Sequence, residues 1–227
     1  MKRGAGSMMK EIILTVERQV KERLWQEESG HDWHHIDRVR NLAILLAKEE
    51  GADREIAELA ALLHDLPDEK MSQDRSLSLS EIALWLKELN VTEQANDHVC
   101  RILSTISFKG TGASVPLTLE GRIVQDADRL DAIGAIGTAR AFLYAGSKGH
   151  SLHAEESVPR ENMTKEEYRL QPSTAISHFY EKLLKLKSLM NTDAAKVMAE
   201  ERHAFMLTFL DQFYKEWKEA GNITHKE

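Results

Sequence analysis

The 227-residue chain is 42% hydrophobic and 30% charged, with a formal net charge of −7, which is length enough for one large domain or two small ones. The acidic balance argues against a general nucleic-acid or anionic-membrane binder, and leaves room for a small phosphorylated substrate held by a few local cations. The single cysteine, Cys100, excludes an intrachain disulfide and fits a reducing compartment; with no apolar run of membrane-spanning length and no signal-peptide core, a cytoplasmic location is expected.

Residues 1–8, opening Met-Lys-Arg-Gly-Ala-Gly-Ser, read as a tag remnant or disordered start. From Met9 to about Glu28, Ile12, Ile13, Val16, Val20 and Leu24 recur at helical spacing, and Ser29-Gly30 ends that helix. Asp32 is placed to cap the next helix, whose inward face is His35, Val39, Leu42, Ala43 and Leu46. Asp37, Arg40 and Lys48 fall off that stripe. Gly51 stops the helix, and Asp53 starts a third that carries Ile56, Leu59, Ala60 and Leu63 inward and ends at His64-Asp65.

Residues 68–75 are polar and loop-like. Ser78-Leu79-Ser80-Glu81 has capping-box spacing ahead of Ile82 and Leu86, and Thr92 can cap a helix through Val99, Ile102, Leu103 and Ile106. Gly110, Gly112 and Pro116 make residues 108–118 a loop. One continuous helix is expected from about Leu119 to Leu143, in which Gly134 and Gly137 mark close packing or approach to a ligand. Residues 144–160 read as a long polar loop or lid in which His150 and His153 are solvated. Thr164-Lys165-Glu166-Glu167 has the spacing to cap a short helix. Two long helices at about 173–190 and 192–219 follow, with Phe179, Leu183 and Leu186, then Phe205, Phe209, Phe213 and Trp217, as apolar stripes. No strand alternation, repeat or low-complexity tract interrupts this pattern, so the expected fold is all-α.

The chemistry concentrates in Ala60-Ala61-Leu62-Leu63-His64-Asp65-Leu66. An apolar run that delivers an imidazole and a carboxylate side by side is costly unless something binds them, because a desolvated carboxylate needs a partner. Further ligands of the right kind stand on two other helices: His35 on the second, and Asp128 in Gln125-Asp126-Ala127-Asp128-Arg129-Leu130. Asp126 is the alternative to Asp128, which falls nearer the inward stripe at four residues from Val124. Imidazole plus carboxylate suits a divalent ion such as Mn, Fe, Co or Ni, and no cysteine cluster points to structural zinc. Such a cation would polarise a phosphoryl oxygen and lower the pKa of its water.

At these residues the chain resembles the HD-domain superfamily of metal-dependent phosphohydrolases. The likeness rests on His35 in His-Ile-Asp-Arg-Val, on Leu63-His64-Asp65, and on Asp128 in Asp-Ala-Asp-Arg-Leu-Asp-Ala-Ile-Gly, in the order of that family's H…HD…D pattern. The subgroup it looks most like is the small bacterial nucleotide pyrophosphohydrolases, through Gly30-His31-Asp32-Trp33 and the following His35-Ile36, and through His178-Phe179-Tyr180-Glu181-Lys182-Leu183. The resemblance implies one helical-bundle domain over residues 9–221, with a metal-binding core at about 20–145, C-terminal helices at 163–219 and a tail at 222–227. It implies that His35, His64, Asp65 and Asp128 hold one divalent metal, Mn above Fe, Co, Ni or Mg. It implies water attack on a phosphoester or phosphoanhydride, with Asp65 catalytic and Asp68, three residues on, orienting or deprotonating the water; Glu69 is the fallback. Lys70, Arg38 and Lys109 are candidates to neutralise phosphate, and His31 to line the mouth of the site.

The reading that follows is a metal-dependent hydrolase of (deoxy)nucleoside triphosphates, giving a monophosphate and pyrophosphate. The alternatives are a phosphomonoesterase, a cyclic- or signalling-nucleotide hydrolase, or a non-catalytic metal- and nucleotide-binding regulator. The expected partner is a small phosphorylated molecule, with no nucleic acid and no membrane; the sequence leaves the oligomeric state open.

Overall fold

The structure, a computed structural model, describes residues 5–25, 32–67, 76–106, 116–154 and 174–223. Every regular element among them is helical, and none of the described helices is long and apolar enough to cross a membrane. The helices are α1 (Ala5–Leu24), α2 (Trp33–Glu50), α3 (Arg54–Leu63), α4 (Leu79–Glu88), α5 (Glu93–Ile106), α6 (Leu119–Asp131), α7 (Gly134–Ser147), α8 (Ala175–Glu181) and α9 (Asp193–Ile223), with a 3-10 turn at Leu183–Leu189 between the last two. Two compact units emerge: residues 1–131 with 191–195, and residues 132–190 with 196–227.

In the first unit the local signals act as expected. The Asp32 carboxylate accepts from the His35 amide at 2.8 Å and caps α2, Gly51 ends it in the left-handed conformation at φ 69°, and Asp53 caps α3. Ser78 and Glu81 form a reciprocal capping box on α4. α2 and α6 both pack against α3, whose residues Ile56 to Leu63 are all buried. One polar pair crosses this interior. Arg40 on α2 donates from Nε and Nη2 to Glu58 Oε1 on α3, at 2.8 and 2.7 Å, and its Nη1 lies 3.0 Å from Glu17 on α1. Asp37 lies 3.7 Å from Arg40 and Arg54 lies 3.9 Å from Glu58, so the pair belongs to a small charge network in which neither group depends on a single partner.

The second unit is organised by aromatic rings. Phe179 of α8 stacks on Phe209 of α9 at 5.8 Å, and Phe213 stacks on Trp217 at 5.7 Å. His178 has its pKa pushed down to about 4 by burial of its ring and then by the Lys182 charge, so it is neutral at physiological pH.

Several expectations are corrected. Residues 5–8 belong to α1 and not to a disordered start. The helix expected from Leu119 to Leu143 is two helices. Gly134 sits at φ 76°, and a Cβ at Gly137 would run into the Ala132 carbonyl oxygen, so the chain breaks after Asp131. The helix expected over 173–190 is likewise broken at Lys182, whose non-helical backbone leads into the 3-10 turn. Tyr144 to Ser147 lie in α7 instead of a loop. His153 is not solvated: its ring stands edge-on to Trp217 at 5.0 Å and to Tyr214 at 5.5 Å. Phe205, expected in the core, is 45% exposed. The proposed lid beyond Ala154 and the capping box at Thr164 lie outside the described residues.

Gly134→Ala should lower stability by about 1–2 kcal/mol, because a side chain at positive φ is strained and the new Cβ would press on Arg202. Urea denaturation followed by circular dichroism would read the loss; an unchanged midpoint would show that α7 starts without this constraint.

Candidate metal centre

α2, α3 and α6 bring four side chains together. His35 stands in the first turn of α2, on the buried face it shares with Ile36, Val39 and Ala43. His64 is the residue that ends α3, and Asp65 lies in the turn that follows, fixed by the Leu66 amide donating to the Leu63 carbonyl. His35, His64 and Asp65 are 2%, 7% and 6% exposed. One potential ligand atom from each lies within 4.8 Å of the others, a group that could hold a metal ion. His35 Nε2 is 3.3 Å from Asp65 Oδ2, and His64 Nε2 is 3.3 Å from Asp65 Oδ1. Asp128 on α6 adds a half-exposed carboxylate, with Oδ1 at 3.6 Å from His35 Nε2 and 4.0 Å from His64 Nε2.

The hydrogen bonds behind the rings decide what faces forward. His64 Nδ1 is 2.8 Å from the Ala61 carbonyl, and His35 Nδ1 is 2.7 Å from Asp131 Oδ2. A carbonyl and a carboxylate only accept, so both Nδ1 atoms carry the proton, and a neutral ring then turns a bare lone pair on Nε2 toward the carboxylates. His64 Nε2 is buried and has no hydrogen-bond partner among the described residues. With both rings neutral, two lone pairs aimed at carboxylate oxygens repel, and either a proton on Nε2 or a metal cation relieves that repulsion. The donor set therefore fits a divalent ion with imidazole and carboxylate ligands.

Asp126 and Asp128, two residues apart on α6, face different surroundings. Asp126 is fully buried, and its oxygens accept from the Asn191 and Thr192 amides, from Asn191 Nδ2 and from Thr192 Oγ1. Burial raises its pKa even against these hydrogen bonds. Asp126 thus ties residues 191–192 to α6, while Asp128 is the acid on the imidazole side. Arg38, one turn after His35, donates from Nε to Asp131 Oδ1 at 2.6 Å and from Nη2 to Asp131 Oδ2 at 3.1 Å. This fork raises the Arg38 pKa further, with the hydrogen bond to Asp131 as the leading cause. Asp68, Lys70, His31 and Lys109 lie outside the described residues. Asp131 is not among the site residues that the sequence analysis singles out. The signal was present in the spacing: Asp131 follows Asp128 by one helical turn, as Arg38 follows His35.

The model of the HD domain family matches residues 32–133, which contain all four of these side chains. Bacillus subtilis YpgQ is 47% identical over 195 residues, covering 85% of this chain and 87% of that protein. A crystal structure of YpgQ in complex with ADP matches with a TM-score of 0.77 at 40% identity, covering 92% of this chain and 96% of that one. A crystal structure of an HD-superfamily hydrolase from Bacillus thuringiensis matches with a TM-score of 0.74 at 43% identity, covering 92% and 98%. The chain belongs to the HD-domain family.

Asp126→Ala should cost about 2–4 kcal/mol of stability, since it strands several buried donors at once. Asp128→Ala should leave the unfolding midpoint of the apo protein within about 0.5 kcal/mol while weakening Mn2+ binding. Thermal unfolding with and without Mn2+ separates the two, and the reverse pattern would make Asp126 the functional acid.

Proposed function

We propose that this chain is a metal-dependent phosphohydrolase that cleaves nucleoside or deoxynucleoside triphosphates to a monophosphate and pyrophosphate. The observation that carries the reading is the buried His64 Nε2, without a hydrogen-bond partner among the described residues and 3.3 Å from an Asp65 oxygen. His35, His64, Asp65 and Asp128 would hold one divalent ion, Mn2+ in the first instance. That ion, when bound, supplies Lewis-acid polarisation of a phosphoryl oxygen and makes a water easier to deprotonate.

The protein's own part is positioning and charge. The His64 and His35 rings are locked by their Nδ1 hydrogen bonds, so their Nε2 atoms need little reorganisation to act as ligands. Asp65 presents one oxygen to each ring. Asp68, or Glu69 beside it, is the group assigned to orient the attacking water and take its proton. Lys70, His31 and Lys109 are assigned to the phosphates on the strength of the sequence alone. The sequence also places Arg38 in that set, but its Nε and Nη2 are taken up by Asp131. Water adds across the anhydride between the α and β phosphates, and pyrophosphate leaves. The presence of ADP in the YpgQ structure supports a nucleotide as the phosphorylated partner.

Incubation with Mn2+ and a panel of nucleoside and deoxynucleoside triphosphates, resolved by chromatography, should give monophosphate and pyrophosphate. Inorganic phosphate alone would replace this reading with a phosphomonoesterase. Asp65→Asn should lower turnover by at least about 10²-fold, the scale of losing one preorganised electrostatic group, in a protein that remains folded; a folded Asp65→Asn variant with normal turnover would sink the proposal.

A further inference from the structure

We infer that Asp131 is a positioning residue for the metal centre, acting through His35, and that Arg38 acts through Asp131 and not on the substrate. The inference rests on the reading of His35, His64, Asp65 and Asp128 as metal ligands. The geometry that carries it is a single imidazole approached at both ring nitrogens by carboxylates from one helix. Asp128 Oδ1 lies 3.6 Å from His35 Nε2, and Asp131 Oδ2 lies 2.7 Å from His35 Nδ1. A three-residue step on α6 gives nearly one turn, so the two acids share a face and bracket the ring.

His35 and Asp131 are each 2% exposed. An anionic acceptor buried at that nitrogen fixes the proton on Nδ1, orients the ring and increases the electron density on Nε2, which strengthens it as a ligand. A lone buried carboxylate would be expensive. Arg38 offsets that cost with a two-pronged interaction, Nε to Oδ1 at 2.6 Å and Nη2 to Oδ2 at 3.1 Å, which also sets the plane of the carboxylate against the ring. Arg38, Asp131 and His35 therefore form one relay that starts at a guanidinium 36% exposed at its side chain and ends at the Nε2 lone pair. His64 has a neutral acceptor, the Ala61 carbonyl, in the corresponding place. The two imidazoles are thus unequal ligands, and His35 is the one whose strength the protein has raised.

The test is Mn2+ titration calorimetry on the full chain, with wild type, D131N, R38Q and the double variant, together with the tautomer of His35 read from long-range 15N–1H correlations without metal. Wild-type His35 should be the Nδ1–H form. D131N keeps the shape but lacks the charge. It should lower Mn2+ affinity by about 10- to 100-fold and populate the other tautomer. R38Q should give a smaller loss of the same kind, and the double variant should bind no more weakly than D131N alone. Unchanged affinity and tautomer in D131N would overturn the role of Asp131. Additive losses, or a raised nucleotide KM in R38Q with unchanged Mn2+ affinity, would put Arg38 on the phosphates instead. If D131N unfolds, D131E, which keeps the charge at a longer reach, decides the matter: affinity and tautomer retained support the inference, and a folded D131E whose His35 keeps the wild-type tautomer but loses Mn2+ overturns it. Wild type that binds no Mn2+ would remove the metal reading itself, an outcome distinct from one in which wild type and D131N bind alike.

Discussion

Two imidazoles, each held with a proton on Nδ1 by a hydrogen bond on the far side of its ring, turn Nε2 toward the oxygens of Asp65 at 3.3 Å. Nothing in a neutral His–carboxylate arrangement makes that favourable. Desolvation increases the repulsion, because the low local dielectric strengthens every uncompensated interaction. A divalent cation reverses the sign of each contact at once. The rest of the first unit can be understood as the structure needed to hold these groups in place until the cation arrives.

That need explains where the polar interactions of the unit are concentrated. Asp32 caps α2 through the His35 amide, so the start of the helix and the position of its first ligand are one feature. α3 is buried from Ile56 to Leu63 and ends where the apolar run ends, which delivers His64 and Asp65 at a turn instead of mid-helix. Arg40 and Glu58 hold α2 to α3. On α6, alternate acids divide the labour: Asp126 anchors residues 191–192, Asp128 faces the imidazoles, and Asp131 supports one of them from behind.

Much of this was legible in the sequence because its causes are local. Asp32, Gly51, Asp53, Ser78 and Thr92 each mark a helix end through their own side chain or φ angle, and the structure places them there. His35, His64 and Asp65 were found because imidazoles and acids on apolar stripes are chemically conspicuous. Features set by distant residues were not legible. The break after Asp131 goes with the positive φ of Gly134, where Arg202 occupies the space a side chain would need, and glycines in a helical pattern do not announce which of them will leave the helix. The enclosure of His153 by Trp217 and Tyr214, more than sixty residues away in the chain, carries no periodic signal. Arg40 falls off the apolar stripe of α2, and nothing in the sequence pairs it with Glu58, which lies in an otherwise apolar run of α3.

The central claim is that the two Nε2 atoms and the two carboxylates share one cation. Anomalous diffraction from crystals grown with Mn2+ tests it most directly. The account predicts a single strong peak among His35 Nε2, His64 Nε2, Asp65 and Asp128. A fully occupied peak elsewhere, or none at saturating Mn2+ with both Nε2 atoms hydrogen-bonded to protein or water, would contradict it.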